Sequence, residues 1–115
     1  MKYFGLISLM IVILIGAWWE IKSYEKSKPA KEEANQTQAV AMAQATYYQK
    51  KSAGMNFSNG PCLSEEIMPG WSVDIVHNPR TAIDDLSQNQ CQYYRSGKTK
   101  HFIELDTNGN LIRAQ

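Results

Sequence analysis

Residues 1–19, MKYFGLISLMIVILIGAWW, decide the layout of this chain, because residues 3–19 carry no charged side chain. About 17 residues at about 1.5 Å each span about 25 Å, the lower limit for crossing a bilayer. Aromatic side chains at both ends of the stretch are typical of the headgroup level. We therefore predict a membrane anchor over residues 1–21. A cleaved signal peptide is the alternative, since Gly16 and Ala17 are small enough for a cleavage site.

The charges beside this segment give conflicting signals about its orientation. Lys2 stands on one side, and four lysines stand on the other: Lys22, Lys26, Lys28 and Lys31. The rule that positive charge stays in the cytoplasm would leave the carboxy-terminal part inside the cell. However, a two-residue stub has nothing to translocate, and paired cysteines suit an oxidising compartment. We therefore predict a single-pass protein of the cell membrane whose carboxy-terminal head is extracytoplasmic.

Residues 22–54 form a polar linker and then an alanine-rich stretch with the composition of a helix. Pro29 suits the first helical turn, and Gly54 suits the stop. One face of small residues ends in an aromatic ring and comprises Ala30, Ala34, Thr37, Ala41, Ala45 and Tyr48. Two partners are open for this face: the chain's own head, or another subunit in self-assembly or a protein complex. Its small side chains disfavour a coiled coil, whose core carries Leu and Ile.

Residues 55–115 predict a small β head, so the expected fold class is α+β. Residues 71–77, WSVDIVH, alternate as a strand does. Residues 92–105 predict a hairpin, and the Asn-Gly turn within residues 106–110 leads into a last strand. The end of the chain is therefore expected to be an antiparallel β-meander, with polar loops at 56–69 and 78–90. The expected core residues are Trp71, Val73 and Ile75, packed against Phe102, Ile103 or Leu105.

Cys62 and Cys91 are the only cysteines, and a head of about sixty residues needs more than its apolar core for stability. A bridge between them would close about thirty residues and contribute about 3.5 kcal/mol. We predict this disulfide; two reduced thiols are the alternative if the head is cytoplasmic. Together with His77 and His101, the two cysteines offer the ligand types of a zinc site. However, these four residues are too far apart in sequence for a structural zinc site. We predict no metal and no other cofactor.

The sequence contains no motif that predicts catalysis. It has no glycine-rich phosphate loop and no serine elbow, and a thiol triad around Cys62 would lack a local signature. Residues 106–110, DTNGN, lack the acidic residue that closes a calcium loop. The head has five basic and seven acidic side chains from Gly54 onward, which argues against nucleic acid. The candidate binding residues are Trp71, His77 and Arg80, on or just after the predicted strand.

The order of an apolar segment, a helix and a disulfide-stapled β head resembles type IV pilins and pseudopilins over the whole chain. Residues 5–10, GLISLM, depart from that family because no glutamate stands fifth after the glycine, where the prepilin cleavage motif requires it. Three strings, GPCLSEEIMPGWSVDIVHNPR, NQC and FIELDTNGNLIR, also resemble a group of short, uncharacterised membrane-anchored bacterial proteins. The pilin-like layout implies a head that acts by binding or assembly rather than catalysis. A head that binds a small ligand or a metal is the alternative.

Overall fold

The computed structural model describes residues 3–115, except for the side chains of Phe4 and of residues 21–28. The fold class is α+β, as predicted. Two α-helices and four strands follow in the order α1 (Phe4–Ser52), β1 (Cys62–Met68), β2 (Trp71–Ile75), α2 (Gln92–Arg95), β3 (His101–Leu105) and β4 (Leu111–Ala114). Two short 3₁₀ helices, Ala82–Asp85 and Ser87–Asn89, lie between β2 and α2. The chain divides into two compact units, Met1–Ala34 and Asn35–Gln115.

The first unit contains the amino-terminal part of α1. Its large apolar side chains from Leu6 to Trp19 are exposed, with exposed fractions from 50% for Ile11 to 78% for Trp19. Within residues 3–115, no helix is long and apolar enough to cross a membrane. The predicted anchor, residues 1–21, lies partly outside the described residues, because it includes Met1, Lys2 and two side chains that the structure does not describe.

The predicted start of a helix at Pro29 is wrong, because Pro29 lies inside α1. A proline in a helix removes one backbone hydrogen bond, and here helical residues on both sides continue the helix through it. The end of the helix agrees with the prediction. Gly54 adopts a positive φ of 91°, and the Met55 N–H donates to the Lys50 carbonyl at 3.0 Å, which satisfies one of the last carbonyls of the helix.

The second unit buries a different face of α1 from the predicted one. Ala39, Ala43 and Tyr47 are fully buried, whereas the predicted small-residue face, including Ala41 and Ala45, is exposed to solvent. The Tyr47 ring stacks on Phe57 with centroids 4.6 Å apart, and its hydroxyl donates to the Thr107 carbonyl at 2.6 Å. These contacts select the buried face, because a large ring with a satisfied hydroxyl fixes the rotation of the helix more strongly than alanines do.

The sheet has four strands in the order β1-β2-β3-β4 and is mixed, so the predicted antiparallel meander is wrong. β2 and β3 run parallel with Trp71 opposite His101 and Ile75 opposite Leu105, whereas the outer pairs are antiparallel. Residues 92–95, predicted as a strand, form α2. The Glu65 carboxylate on β1 accepts the backbone N–H groups of Gln92 and Tyr93 at 3.1 and 2.8 Å, and this cap from a distant strand favours the helix.

The predicted polar loop at 56–69 contains β1, an edge strand whose pairing with β2 is interrupted by register shifts. Its single buried apolar residue is Leu63, so the hydrophobic pattern is weak. The turn predicted at residues 106–110 is confirmed. The Asp106 carboxylate accepts the Asn108 and Asn110 N–H groups at 2.8 and 2.9 Å, and Gly109 has φ 86°.

The core lies between α1 and one face of the sheet, and the predicted core residues are buried. Alternate residues of β2 and β3 form this face together with Leu63 and Phe57: Trp71, Val73, Ile75, Ile103 and Leu105. Phe102 is buried as well, but it belongs to the opposite face of the sheet because it pairs in register with Ser72. That opposite face is polar.

Candidate functional site

The polar face of the sheet carries a cavity of about 440 Å³ on the side away from α1. Its lining residues include Ser72, Asp74, Arg80, Arg95, Glu104 and Arg113, and we call it the Asp74 cavity. Small-molecule sites in proteins commonly have volumes of about 300–1,000 Å³. The strand register explains the composition. Asp74 lies opposite Glu104 on the parallel neighbour, and Glu104 lies opposite Arg113, so all three project from the same face.

Asp74 is the most perturbed titratable group of the cavity. Burial raises its pKa from 3.8 to about 8, and the negative charge of Glu104 adds to this effect. Within residues 3–115, Asp74 Oδ1 is also the one buried side-chain nitrogen or oxygen that has no hydrogen-bond partner. A buried polar atom without a partner is unfavourable and is common at functional sites. At pH 7, below this pKa of about 8, the carboxyl is therefore mostly protonated, and its Oδ1 makes no hydrogen bond.

Glu104 is paired with two arginines. Arg113 donates to both carboxylate oxygens, through Nε at 2.9 Å and an Nη atom at 3.0 Å, and Arg80 approaches at 3.4 Å. The Arg80 guanidinium also bonds Asp85 at 3.0 Å. The bidentate geometry is the strongest form of the pair, and the Glu104 side chain is only 10% exposed. The negative charge of Glu104 is thus already satisfied within the protein.

Aromatic rings and a free cation complete the wall. Phe102 packs edge-on against Tyr94 with centroids 4.8 Å apart, and the Arg113 guanidinium lies over the Phe102 ring at 4.9 Å. Arg95 stands at the end of α2 and lines the same cavity. Its guanidinium has no ion-pair partner within the described part of the chain. The wall therefore combines an apolar surface with an available positive charge.

The predicted disulfide holds the wall of this cavity. Cys62 and Cys91 are bonded, with Cα atoms 4.9 Å apart, and Cys91 directly precedes α2. Together with the Glu65 cap, the bond fixes α2 beside β1. Cys62, Cys91 and Glu65 also place potential metal-ligand atoms within 4.8 Å of one another. The two sulfurs are bonded to each other and supply no thiolate, so this group does not make a metal site.

A second cavity of about 530 Å³ includes Tyr47, Phe57, Ser58 and His77, and we call it the His77 cavity. His77 Nδ1 lies 2.8 Å from the buried Asp84 carboxylate. Burial would raise the pKa of Asp84, but hydrogen bonds from Thr81 and His77 outweigh it and lower the pKa below 3.8. Asp84 therefore orients His77 and closes the loop after β2.

A histidine held by a carboxylate can accept a proton in catalysis when a nucleophile lies within hydrogen-bond reach. Within residues 3–115, no hydrogen bond joins His77 to Ser58 or to another nucleophile of its cavity. Among the described residues, its ring bonds Asp84 at 2.8 Å and Thr81 at 3.3 Å. The fully buried Asp84 instead accepts two backbone N–H groups, from His77 and Thr81, which is the arrangement of a loop anchor.

The structure separates the three candidate binding residues predicted from the sequence. Arg80 lines the Asp74 cavity, and His77 lines the His77 cavity. Trp71 is 4% exposed in the core and stacks on His101 with centroids 4.6 Å apart, so it touches neither cavity. Asp74 and Glu104 were missed. The sequence does show these two residues as acidic side chains inside two predicted strands. Only the parallel register of the strands brings them together.

No family model, curated protein or solved structure matches this chain.

Proposed function

We propose that this chain is a single-pass membrane protein whose extracytoplasmic head binds a small ligand in the Asp74 cavity. The observation that carries the binding proposal is Asp74 itself. Its side chain lines a cavity of ligand size opposite the paired Glu104, and its Oδ1 is buried without a hydrogen-bond partner. Arg95, which has no ion-pair partner in the described chain, lines the same cavity. A ligand group that hydrogen-bonds the Asp74 carboxyl would offset part of the unfavourable desolvation of this side chain, which gives binding a specific gain in free energy.

The membrane part of the proposal is supported by residues 3–19. They carry no charge, and their large apolar side chains are exposed all round the helix, from Leu6 to Trp19. A helix that is apolar on every side needs lipid or protein around it. Exposure of the head to an oxidising compartment is supported by the Cys62–Cys91 bond, since such bonds are rare in the cytosol.

A ligand screen with a blocked variant tests the binding proposal. Gln90 lines the Asp74 cavity, and Gln88 is exposed two residues away outside it. We would screen the full chain in a non-ionic detergent against a metabolite library, with thermal unfolding as the measurement. The proposal predicts compounds that stabilise the wild type and Gln88→Trp but not Gln90→Trp. Compounds that stabilise all three proteins equally, or no stabilising compound at all, would contradict it.

Assembly is the second candidate function, and the exposure of the predicted small-residue face favours it. Ala34, Thr37, Ala41 and Ala45 are exposed, and Tyr48 beside them is 56% exposed. A second copy of this helix or a protein partner would cover this face. Assembly predicts a dimer or larger species for the full chain in sedimentation and a monomer for Ala41→Glu. A wild-type monomer at all concentrations would exclude self-assembly.

A further inference from the structure

The Asp74 cavity has a net positive lining, and this lining indicates the charge of its ligand. Arg80, Arg95 and Arg113 contribute three positive charges to the lining. Glu104 and Asp85, which bonds Arg80 at 3.0 Å, contribute two negative charges, and Asp74 contributes none while it is protonated, so the charge of Arg95 is left uncompensated. A low-dielectric cleft of one sign concentrates ligands of the opposite sign. Glu104 is unavailable to a cationic ligand because both its oxygens accept hydrogen bonds from arginine.

We propose that the Asp74 cavity binds a small molecule through an anionic oxygen group, a carboxylate or a phosphate, that contacts the Asp74 carboxyl and Arg95. This inference rests on the proposed function and names the ligand class of the same site. Arg95 supplies N–H donors that have no ion-pair partner in the described chain. The Asp74 side chain is half-buried and lines the cavity, so its protonated carboxyl supplies an O–H donor. Phe102 and Tyr94 provide an apolar wall for the rest of the molecule.

The proton on Asp74 links binding to pH. The charged and titratable groups around it are Glu104, Arg113, Arg80 with its partner Asp85, Asp84, Arg95 and Tyr94. Loss of the proton removes the O–H donor and adds a negative charge beside the bound anion. Anion affinity should therefore be full below the pKa of about 8 and should fall as the pH rises through it. A cationic ligand would show the opposite dependence, since it would pair with the ionised form.

Calorimetric titration of the full chain in non-ionic detergent tests the ligand class with matched probes. Benzoate and phenyl phosphate carry the two anionic groups, and benzylammonium is a cation of the same size. The proposal predicts that at least one anion binds, about tenfold more weakly at pH 9 than at pH 6.5. Benzoate alone would assign a carboxylate ligand, and phenyl phosphate alone would assign a phosphate ligand. Benzylammonium should not bind.

Three variants identify the groups that contact the anion. Asp74→Asn keeps a neutral donor, so it should bind the anion with an affinity that no longer changes between pH 6.5 and 9. Arg95→Gln should weaken binding about tenfold at both pH values. Lys98→Gln is the matched control. It also removes one positive charge, but Lys98 lies over the Tyr93 ring outside the cavity. Lys98→Gln should bind as the wild type does, and unfolding curves check that all variants fold.

The outcomes separate this inference from the proposed function. Benzylammonium could instead bind more tightly as the pH rises and lose its binding in Asp74→Asn. That result would overturn the anionic ligand class but would still support ligand binding in the Asp74 cavity. Absence of binding by all three probes would also overturn the class, and the library screen with Gln90→Trp would then decide the function. Anion binding that Gln90→Trp leaves unchanged would show that the anion lies elsewhere and would overturn both.

Discussion

Asp74 binds its proton more tightly in the folded head than in the unfolded chain. Its pKa rises from 3.8 to about 8, mainly through burial and then through the charge of Glu104. Between these pH values the folded state holds a proton that the unfolded state has released. The free energy of unfolding therefore falls as the pH rises from about 4 to about 8, and this effect is constant above that range. A buried carboxyl that weakens the fold at working pH is consistent with a functional role for Asp74.

The first prediction concerns this pH dependence. Asp74→Asn cannot ionise, so it should raise the midpoint of thermal unfolding by about 5 °C or more at pH 8 and by much less at pH 4. Asp85→Asn is the control, because the Asp85 side chain is 64% exposed and its ion pair contributes little. An equal effect of Asp74→Asn at both pH values would show that Asp74 is not protonated in the folded head.

Gly109 supports a second prediction at the residue scale. Its φ of 86° is unfavourable for a side chain, and a Cβ there would lie 2.5 Å from two carbons of the Tyr47 ring. Gly109→Ala should therefore lower the free energy of unfolding by about 2 kcal/mol or more, measured by denaturant unfolding. Gly97→Ala is the control, with φ 78° and no crowded contact, and should cost about 1 kcal/mol. Equal losses would mean that the Tyr47 contact does not limit this position.

At the scale of elements, α1 packs on the sheet through one turn-spaced row of small residues that ends at Tyr47. Ala43 is fully buried in that row, whereas Ala41 is exposed. Ala43→Leu should overfill the contact with the sheet and lower the free energy of unfolding by about 1–3 kcal/mol. Ala41→Leu should change it by less than about 0.5 kcal/mol. A larger loss for Ala41→Leu would indicate that the sequence-based assignment of the helix face was right after all.

Local patterns predicted the elements whose causes are local. The alternation in Trp71–Ile75 and the Asn-Gly turn before β4 depend on neighbouring residues, and both were predicted correctly. The local sequence patterns gave a wrong prediction where contacts with distant residues determine the secondary structure. Residues 92–95 become a helix because Glu65 caps them, and β2 ends before His77 because the His77 N–H bonds Asp84 instead of another strand.

The same limit applies to the candidate site. The sequence marked Arg80, which does line the Asp74 cavity, because it follows a predicted strand. Asp74 and Glu104 could not be paired from sequence, since their contact needs β2 and β3 to run parallel with a connection of 25 residues between them. The disulfide was predictable because only one pairing of two cysteines exists. A polar cavity, in contrast, depends on whether the polar sides of neighbouring strands lie on the same face of the sheet.

At the scale of the whole molecule, the apolar segment and the disulfide make linked predictions. If the chain is anchored with its head outside the cytoplasm, carbonate washing should leave the full chain in the membrane fraction, and a thiol reagent should not label Cys62 or Cys91 in unreduced cells. A variant with Ile11→Lys and Ile13→Lys should be released by carbonate, since each mid-bilayer lysine costs about 2.5–3.5 kcal/mol. Wild-type release by carbonate would contradict the anchor, and full thiol labelling would contradict the location.

We infer that the head binds anionic ligands on the polar face of its sheet, and amide chemical-shift mapping is the sharpest test of this inference. The full chain, labelled with ¹⁵N in non-ionic detergent micelles, would be titrated with benzoate and with phenyl phosphate at pH 6.5. Anion binding in the Asp74 cavity predicts that the largest shifts occur at Asp74, Arg95 and Glu104. Shifts centred instead on Ser58 and His77, or the absence of shifts in the head, would contradict it.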